Sequence, residues 1–154
     1  MSDHDHCSKC GGYLREDGGC TNCERKAFLS GPVKEISVRE AGIILDKPVE
    51  VKDRKGNVVV FSKEKLFGKG AHLQDDHPNA DFRRRAKRLL FAIDTVKTGK
   101  CQTGPHEGRD GIVRQRSRYR KQYAKTSKHP AFRALVVADA KGYVREVFTY
   151  AVNE

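Results

Sequence analysis

The feature that most constrains this chain is a group of four cysteines within its first twenty-three residues. They form two Cys-x2-Cys pairs separated by nine residues, Cys7 with Cys10 and Cys20 with Cys23. Each pair can direct two thiolates at one ion from a tight turn, and two such turns complete a tetrahedral site of four sulfurs. Glycines follow the first pair and precede the second, where they ease the turns around a metal. The spacing therefore predicts a zinc ribbon over residues 1–26, with all four cysteines as zinc ligands.

The predicted zinc is structural, because four thiolates leave no coordination position for water or substrate. His4 and His6 lie close enough in sequence to compete as ligands, although a flexible N-terminal tail is the simpler interpretation of both. The fifth cysteine, Cys101, stands alone in a Gly/Thr-rich segment. It is interpreted as an incidental thiol.

The length and composition limit the class of protein. A chain of 154 residues with 37% hydrophobic content allows one ordinary domain and a small module. The first residues include neither a basic start nor an apolar stretch, so no signal peptide is expected. No apolar run approaches the length of a membrane span. Cysteines at metal spacing fit a reducing compartment, so the sequence predicts a cytoplasmic protein without a membrane partner.

The formal net charge of +11 is unevenly distributed. Residues 1–26 contain four Lys or Arg against five Asp or Glu, so the positive excess belongs to the rest of the chain. A basic domain attracts polyanions, chiefly nucleic acid, through phosphate contacts and release of counterions. This balance indicates a nucleic-acid partner for the larger domain rather than for the cysteine region.

The hydrophobic pattern divides the chain into three parts. Residues 27–44 are expected to be a linker and a first strand, with the strand at Ile36–Val38. Residues 45–154 are expected to form an α+β domain that begins with a hairpin of two strands, 48–52 and 57–61. One amphipathic helix is predicted from Asn79 to about Lys97, with Leu89, Ile93 and Val96 on its apolar face and Arg88 on its basic side. A polar loop is predicted over 98–111.

Strands return in the last third of the sequence. One is predicted over Gln115–Tyr123, and a second hairpin joins Phe132–Ala138 to Tyr143–Tyr150. The order of hairpin, helix and three strands predicts an α+β fold with one antiparallel sheet and a packed helix.

The predicted strand before this hairpin is rich in arginine and tyrosine. Between Gly111 and Ala138 the sequence contains no acidic residue, which is unusual for a simple solvated strand. Strand alternation separates its side chains into a basic face and a mixed face. Arginines neutralise phosphates and aromatic rings stack on unpaired bases, so this region predicts RNA binding. The expected RNA-binding residues are Arg83 and Arg84 of the helix and Arg114, Arg116, Arg120 and Tyr123 of the strand.

Other side chains are candidates for chemistry. His77, which precedes Pro78 at the helix start, is a candidate general base or acid, with His72 as its neighbouring alternative. A surface cap is the more ordinary role for such a histidine. His106 and His129 lie in predicted loops and are weaker candidates. Thr149 and Tyr150 on the last strand are explained equally well by sheet packing.

The order of these segments resembles the barnase/EndoU/colicin/RelE-type nuclease fold, especially its phage-associated branch. The resemblance rests on His77-Pro78 before an amphipathic helix, the Arg118-Tyr119-x-Lys121 strand, the Leu135–Val137 strand and a terminal Val147–Tyr150 strand. It covers roughly residues 45–152, which makes 45–154 an RNase-like domain, and leaves out the zinc ribbon.

The resemblance implies a small metal-independent endoribonuclease. It places His77 as the base that takes the 2′-OH proton, and Arg118 and Lys121 as cations that stabilise the transition state. Tyr119 would stack on a base or donate a proton, and Thr149 or Tyr150 would contact phosphate. The product would be a 2′,3′-cyclic phosphate. Such a protein would act as a phage or toxin effector, with a protein inhibitor or docking partner engaged through the zinc ribbon.

Two other functions remain open at this stage. One is a non-catalytic zinc-ribbon protein that binds nucleic acid, and the other is a phage structural protein. The arrangement of His77, Arg118 and Thr149 separates the alternatives, because an enzyme requires all three to face one cleft.

Overall fold

The computed structural model describes residues 6–67, 80–141 and 143–153. The helices are α1 (Thr21–Ser30), α2 (Val38–Ile44), α3 (Lys63–Phe67), α4 (Ala80–Lys87) and α5 (Leu89–Thr98). The strands are β1 (Val49–Lys52), β2 (Val58–Phe61), β3 (Lys100–Glu107), β4 (Val113–Tyr123), β5 (Phe132–Lys141) and β6 (Val144–Asn153). The predicted α+β class is confirmed.

The six strands form one sheet in the order β1-β2-β6-β5-β4-β3. All neighbouring pairs are antiparallel except β2 and β6, which are parallel. The prediction of a wholly antiparallel sheet is therefore wrong at this one pair. The reason is topological, since β6 returns beside β2 only after the intervening helices and three strands, and this crossover leaves both strands running in the same direction.

Residues 27–30 complete α1 and residues 38–44 form α2, with irregular backbone between them, whereas the sequence predicts a linker and a strand here. Ser37 caps α2 by accepting a hydrogen bond from the Glu40 N–H, and the Glu40 carboxylate accepts one from the Ser37 N–H. This reciprocal capping box fixes the first turn of a helix. Ala41 and Ile44 then fall on one buried face. The strand predicted at Ile36–Val38 is therefore wrong. Ser37 is the N-cap of α2 and Val38 is its first helical residue.

The single helix predicted over residues 79–97 is interrupted at Arg88, which separates α4 from α5. Its predicted apolar face is confirmed for Leu89, Ile93 and Val96, which are buried. Arg88 was expected on the exposed basic side but is 4% exposed. Its guanidinium lies 4.1 Å from the centroid of the Phe132 ring and pairs with Glu35 at 3.4 Å. The backbone break turns Arg88 inwards.

The polar loop predicted over residues 98–111 is instead mostly strand β3. It pairs with β4 from Lys100 opposite Arg120 to Glu107 opposite Val113. Gly104 and Pro105 made the segment resemble a loop, but an edge strand tolerates proline because one side of its backbone lacks a partner strand. Both predicted hairpins, β1 with β2 and β5 with β6, are confirmed.

The core lies between the sheet and helices α4 and α5. Burial alternates along β4, where Ser117 and Tyr119 are buried while Arg116 and Arg118 remain partly exposed. The predicted separation of β4 into two faces is thus confirmed. The largest fully buried side chains are Tyr119, Tyr150, Phe61, Phe132, Ile44, Leu45, Leu66 and Leu89.

Candidate functional site

The four cysteines of the two Cys-x2-Cys pairs converge on one point. The sulfurs of Cys7, Cys10, Cys20 and Cys23 all lie within 4.8 Å of one another, and this group can hold a metal ion. The Cys7 and Cys23 sulfurs are 3.5 Å apart, as are those of Cys10 and Cys20. Gly11 and Gly18 adopt positive φ angles of 75° and 82° in the turns beside the pairs, which explains the glycines there.

Backbone groups stabilise negative charge on the sulfurs. The Lys9 N–H donates to the Cys7 sulfur at 3.4 Å, and the Cys23 N–H donates to the Cys20 sulfur at 3.4 Å. Hydrogen bonds from the backbone of Lys9 and Cys10 lower the pKa of Cys7 to about 6. The hydrogen bond with Cys7 raises the pKa of Cys23 to about 12. Once one thiol of the group is deprotonated, loss of a proton from its neighbour is unfavourable because the two negative charges repel. A bound cation would offset that repulsion.

The cysteine region is joined to the rest of the molecule by charged side chains. Arg25 of α1 donates to the carbonyl oxygens of Ile44 at 2.9 Å and Pro48 at 2.9 Å. Arg39 of α2 pairs with Asp17 at 3.0 Å. These contacts connect the cysteine turns to the segment that leads into β1.

The face of the sheet opposite α4 and α5 carries a row of arginines, and we call it the open face. Strand register places side chains of neighbouring strands side by side on this face. One such line contains Gln102, Arg118, Val137 and Thr149; the next contains Lys100, Arg120, Leu135 and Ala151. None of these residues is fully buried.

The arginines of the open face differ in their partners. Arg114 pairs with Asp110 at 2.7 Å, and Arg116 pairs with Asp139 at 3.1 Å. The Arg116 guanidinium also lies 4.5 Å from the centroid of the Phe148 ring. Arg118 and Arg120 make no ion pair with any residue in the described part of the chain. Positive charge that no acid balances is therefore concentrated towards the end of β4.

His106 lies beside Arg118 on the open face. The Arg118 guanidinium is 3.4 Å from Nδ1 of His106. Because a guanidinium can only donate, Nδ1 is the acceptor, and in the neutral ring Nε2 carries the proton. The sequence analysis treated His106 as a loop residue. No hydrophobic period in the sequence marks β3; it is the strand itself, with its two-residue alternation, that puts Lys100, Gln102 and His106 on one face.

Three of the residues proposed as catalytic lie on the face covered by helices. Tyr119 is fully buried, and its hydroxyl donates to Asp53 at 2.8 Å. Tyr150 is 1% exposed and donates to the carbonyl of Arg85 at 2.7 Å. Burial raises the pKa of both hydroxyls above the ordinary tyrosine value. Lys121 pairs with Asp94 at 2.8 Å, also on the helix side.

Arg118 and Thr149 are the two proposed catalytic residues that share the open face. They flank Val137 in the same line, which sets their backbones about 10 Å apart across two strand spacings. His77 and its alternative His72, like His4, lie outside the described residues. The described members of the proposed catalytic set are thus divided between two faces of the sheet.

The predicted RNA-binding residues are similarly divided. Arg114, Arg116 and Arg120 belong to the open face. Tyr123 belongs to the other face, where its ring stacks on Phe132 with centroids 5.0 Å apart and its hydroxyl donates to Asp94. Arg83 and Arg84 are exposed on α4, on the helix side of the sheet.

Comparison with known proteins adds no relative to this picture. Neither a family model, nor a curated protein, nor a solved structure matches the chain. Across the described segments, no helix is long and apolar enough to cross a membrane. The cysteine group and the open face are therefore the features from which a function can be inferred.

Proposed function

We propose that this protein binds single-stranded RNA on the open face of its sheet. The observation that carries the proposal is the line of partly exposed arginines along β4, of which Arg118 and Arg120 have no acidic partner among the described residues. Unbalanced guanidinium groups on a sheet surface attract phosphates and release counterions on binding.

A single strand suits this surface better than a duplex does. The open face combines arginines with the ring of Phe148 and the half-buried side chains of Leu135 and Val137. Unpaired bases can stack on an aromatic ring or a guanidinium plane while the cations follow the backbone. The bases of a duplex are already stacked on each other and offer this surface only their edges and phosphates.

Fluorescence anisotropy with a labelled RNA of about ten nucleotides tests the proposal. Single-stranded RNA should bind more tightly than the same sequence in a duplex. The logarithm of the association constant should fall linearly with the logarithm of salt concentration, with a slope of about −0.7 per phosphate contacted. Absence of binding, or equal affinity for duplex and single strand, contradicts the proposal.

An endoribonuclease is the second candidate, and the contact between His106 and Arg118 favours it. In this reaction Arg118 turns from Nδ1 of His106 to the phosphate, the ribose 2′-oxygen attacks the phosphorus, and the 2′-OH proton passes to the lone pair of Nδ1. The bond from phosphorus to the 5′-oxygen breaks, and the 5′-oxygen takes up a proton from water or from the protonated His106. The products are a 2′,3′-cyclic phosphate and a strand with a 5′-hydroxyl. Arg118 would stabilise the charge that develops on the phosphate oxygens. His77 remains the alternative base from the sequence analysis.

Incubation with RNA and analysis of the new ends tests this second candidate. His106→Ala should abolish formation of the cyclic phosphate while leaving RNA bound, because the imidazole moves a proton and Arg118 remains. The control is His129→Ala, which removes a histidine that packs against Phe91 and Phe132 away from the open face. Cleavage that is unchanged in His106→Ala and lost in His77→Ala would transfer the role of base to His77. Intact RNA with the unmodified protein would exclude cleavage.

We further propose that the four cysteines hold a structural zinc ion. A tetrahedral site with zinc–sulfur bonds of about 2.3 Å has sulfurs about 3.8 Å apart. The distances of 3.5 Å within the group fit that geometry after a small adjustment. The four thiolates would close the coordination shell, so the ion would stabilise the turns without taking part in RNA chemistry.

A further inference from the structure

A cationic cavity lies where β4 extends past the start of β3. Its volume is about 490 Å³. The residues that line it are Arg54, Thr98, Gly99, Lys100, Arg120, Lys121, Gln122 and Arg133. Five of these eight are Lys or Arg, and none is acidic. This composition differs from the far end of the open face, where Asp110 and Asp139 neutralise Arg114 and Arg116.

Four of the five cations lack a counter-ion in the part of the chain that the structure describes. Arg54, Lys100, Arg120 and Arg133 are exposed and form no ion pair with another described side chain. Lys121 is the exception, since it is held by Asp94 and Thr98 at 2.8 Å each. The end of α5 at Gly99 contributes only about half a negative charge, which four full positive charges exceed.

The cavity is assembled from distant parts of the sequence. Arg54 lies in the turn between β1 and β2, and its neighbour Asp53 accepts a hydrogen bond from Tyr119 of β4 at 2.8 Å. That buried bond holds the turn against β4. Lys100 and Arg120 are opposite each other in the β3–β4 register, and Arg133 lies opposite Gln122 on β5. The convergence of like charges is therefore fixed by the fold.

We propose that this cavity binds the terminal phosphate of the RNA strand carried by the open face. A terminal phosphate monoester has up to two negative charges and three oxygens free for hydrogen bonds, whereas an internal phosphodiester has one charge. Arginine guanidinium groups bind such oxygens in pairs. Arg120 belongs to both the cavity and the open face, so the strand would run along β4 and end there. This inference rests on the proposed RNA binding.

A smaller neighbouring cavity provides space for the terminal nucleoside. Its volume is about 330 Å³, and Gln122 and Arg133 line both cavities. Asn153 lies opposite Arg133 on β6 and lines the smaller cavity as well. The amides of Gln122 and Asn153 offer both donors and acceptors to a base edge.

Paired RNA oligonucleotides test the inference. Strands of one sequence are compared with a 5′-phosphate, with a 3′-phosphate and with hydroxyls at both ends. One of the two phosphorylated strands should bind at least about tenfold more tightly than the hydroxyl strand, as expected for charge-assisted hydrogen bonds. Arg54→Gln should reduce this ratio towards one. The matched control is Arg109→Gln, an exposed arginine in the turn at the opposite end of β4, which should preserve the ratio.

Free pyrophosphate separates a strand terminus from a simple anion site. The amide signals of Gly99 and Gln122 should shift with the phosphorylated RNA and weakly with pyrophosphate. Equal affinity for all three strands overturns the inference and leaves the proposed RNA binding intact. Shifts with pyrophosphate but no RNA binding overturn both, because the cavity would then serve a free anion. Loss of the ratio in both arginine variants would overturn the placement of the phosphate at the cavity.

Discussion

Asp53 shows how one residue connects three parts of the sheet. Its side chain is 1% exposed and pairs with Arg145 of β6 at 3.1 Å. One carboxylate oxygen also accepts from the Tyr119 hydroxyl, and the other accepts from the backbone N–H groups of Lys55 and Asn57. A buried carboxylate is tolerated only with such partners. The position of Arg54 at the cationic cavity depends on this group.

Asp53→Asn should destabilise the fold by about 3 kcal/mol, because it leaves Arg145 without its charged partner in a mostly buried position. Asp46→Asn, at an exposed aspartate, is the control and should change the free energy of unfolding by less than about 0.5 kcal/mol. Chemical denaturation at pH 7 measures both. Equal stability of the two variants would show that the Asp53 network contributes nothing.

The same residue predicts a pH dependence. Burial alone would raise the pKa of Asp53, but hydrogen bonds from Asn57, Tyr119 and Lys55 outweigh it and lower the pKa. The unfolded carboxyl titrates near pH 4, so this stabilisation is complete above that value and is lost as the pH falls through the lower folded pKa. Asp53→Asn should therefore lose less stability than the unmodified protein between about pH 5 and pH 2. If the free energy of unfolding changed equally with pH in both proteins, Asp53 would not be the source of the pH dependence.

At the scale of elements, the cysteine turns and α1 form a small unit with little buried surface of its own. None of the residues of α1 is fully buried, and its N-cap is Cys20, whose sulfur accepts from the Cys23 N–H. An isolated helix of this length is marginal in water. Its order must come from the cysteine group, from Arg25 and from the partial packing of Phe28 and Leu29 on the core.

Cys23→Ser should remove the bound metal and disorder α1 while the sheet remains folded. Metal analysis of the purified protein should give about one zinc per chain before the change and none after it. The control is Cys101→Ser, which removes a cysteine outside the group. For a chain of this length, each kcal/mol of lost stability lowers Tm by about 3 °C. Zinc-free protein with the Tm of the holo form, or iron in place of zinc, would contradict the assignment.

The elements also show which local signals the sequence contains. The β1–β2 hairpin was predictable because strand alternation and the Gly56 turn agree with each other. Strand β3 was not predictable, since its polar, proline-containing sequence has no hydrophobic period. Helix α2 could have been recognised from the Ser37 and Glu40 capping box.

At the scale of the whole molecule, the sheet has buried, hydrogen-bonded polar groups on the face covered by helices and exposed charged groups on the open face. The sequence predicts the alternation of β4 and the convergence of the four cysteines, because both follow from local spacing. It does not predict that Tyr119 meets Asp53 or that His106 meets Arg118, because these contacts depend on strand order and register. A motif read along one strand therefore combined Arg118 and Tyr119 although they lie on opposite faces.

The most direct test compares two double variants in RNA binding. Arg118→Gln with Arg120→Gln removes two cations from the open face, and Lys87→Gln with Lys97→Gln removes two exposed cations from α4 and α5 on the other side. If RNA lies on the open face, the first variant should bind at least about tenfold more weakly and its salt slope should fall by about 1.4, for two phosphate contacts. The second should stay within about twofold of the unmodified protein. Equal losses in both would mean that RNA responds to net charge alone, and would contradict a binding site on the open face.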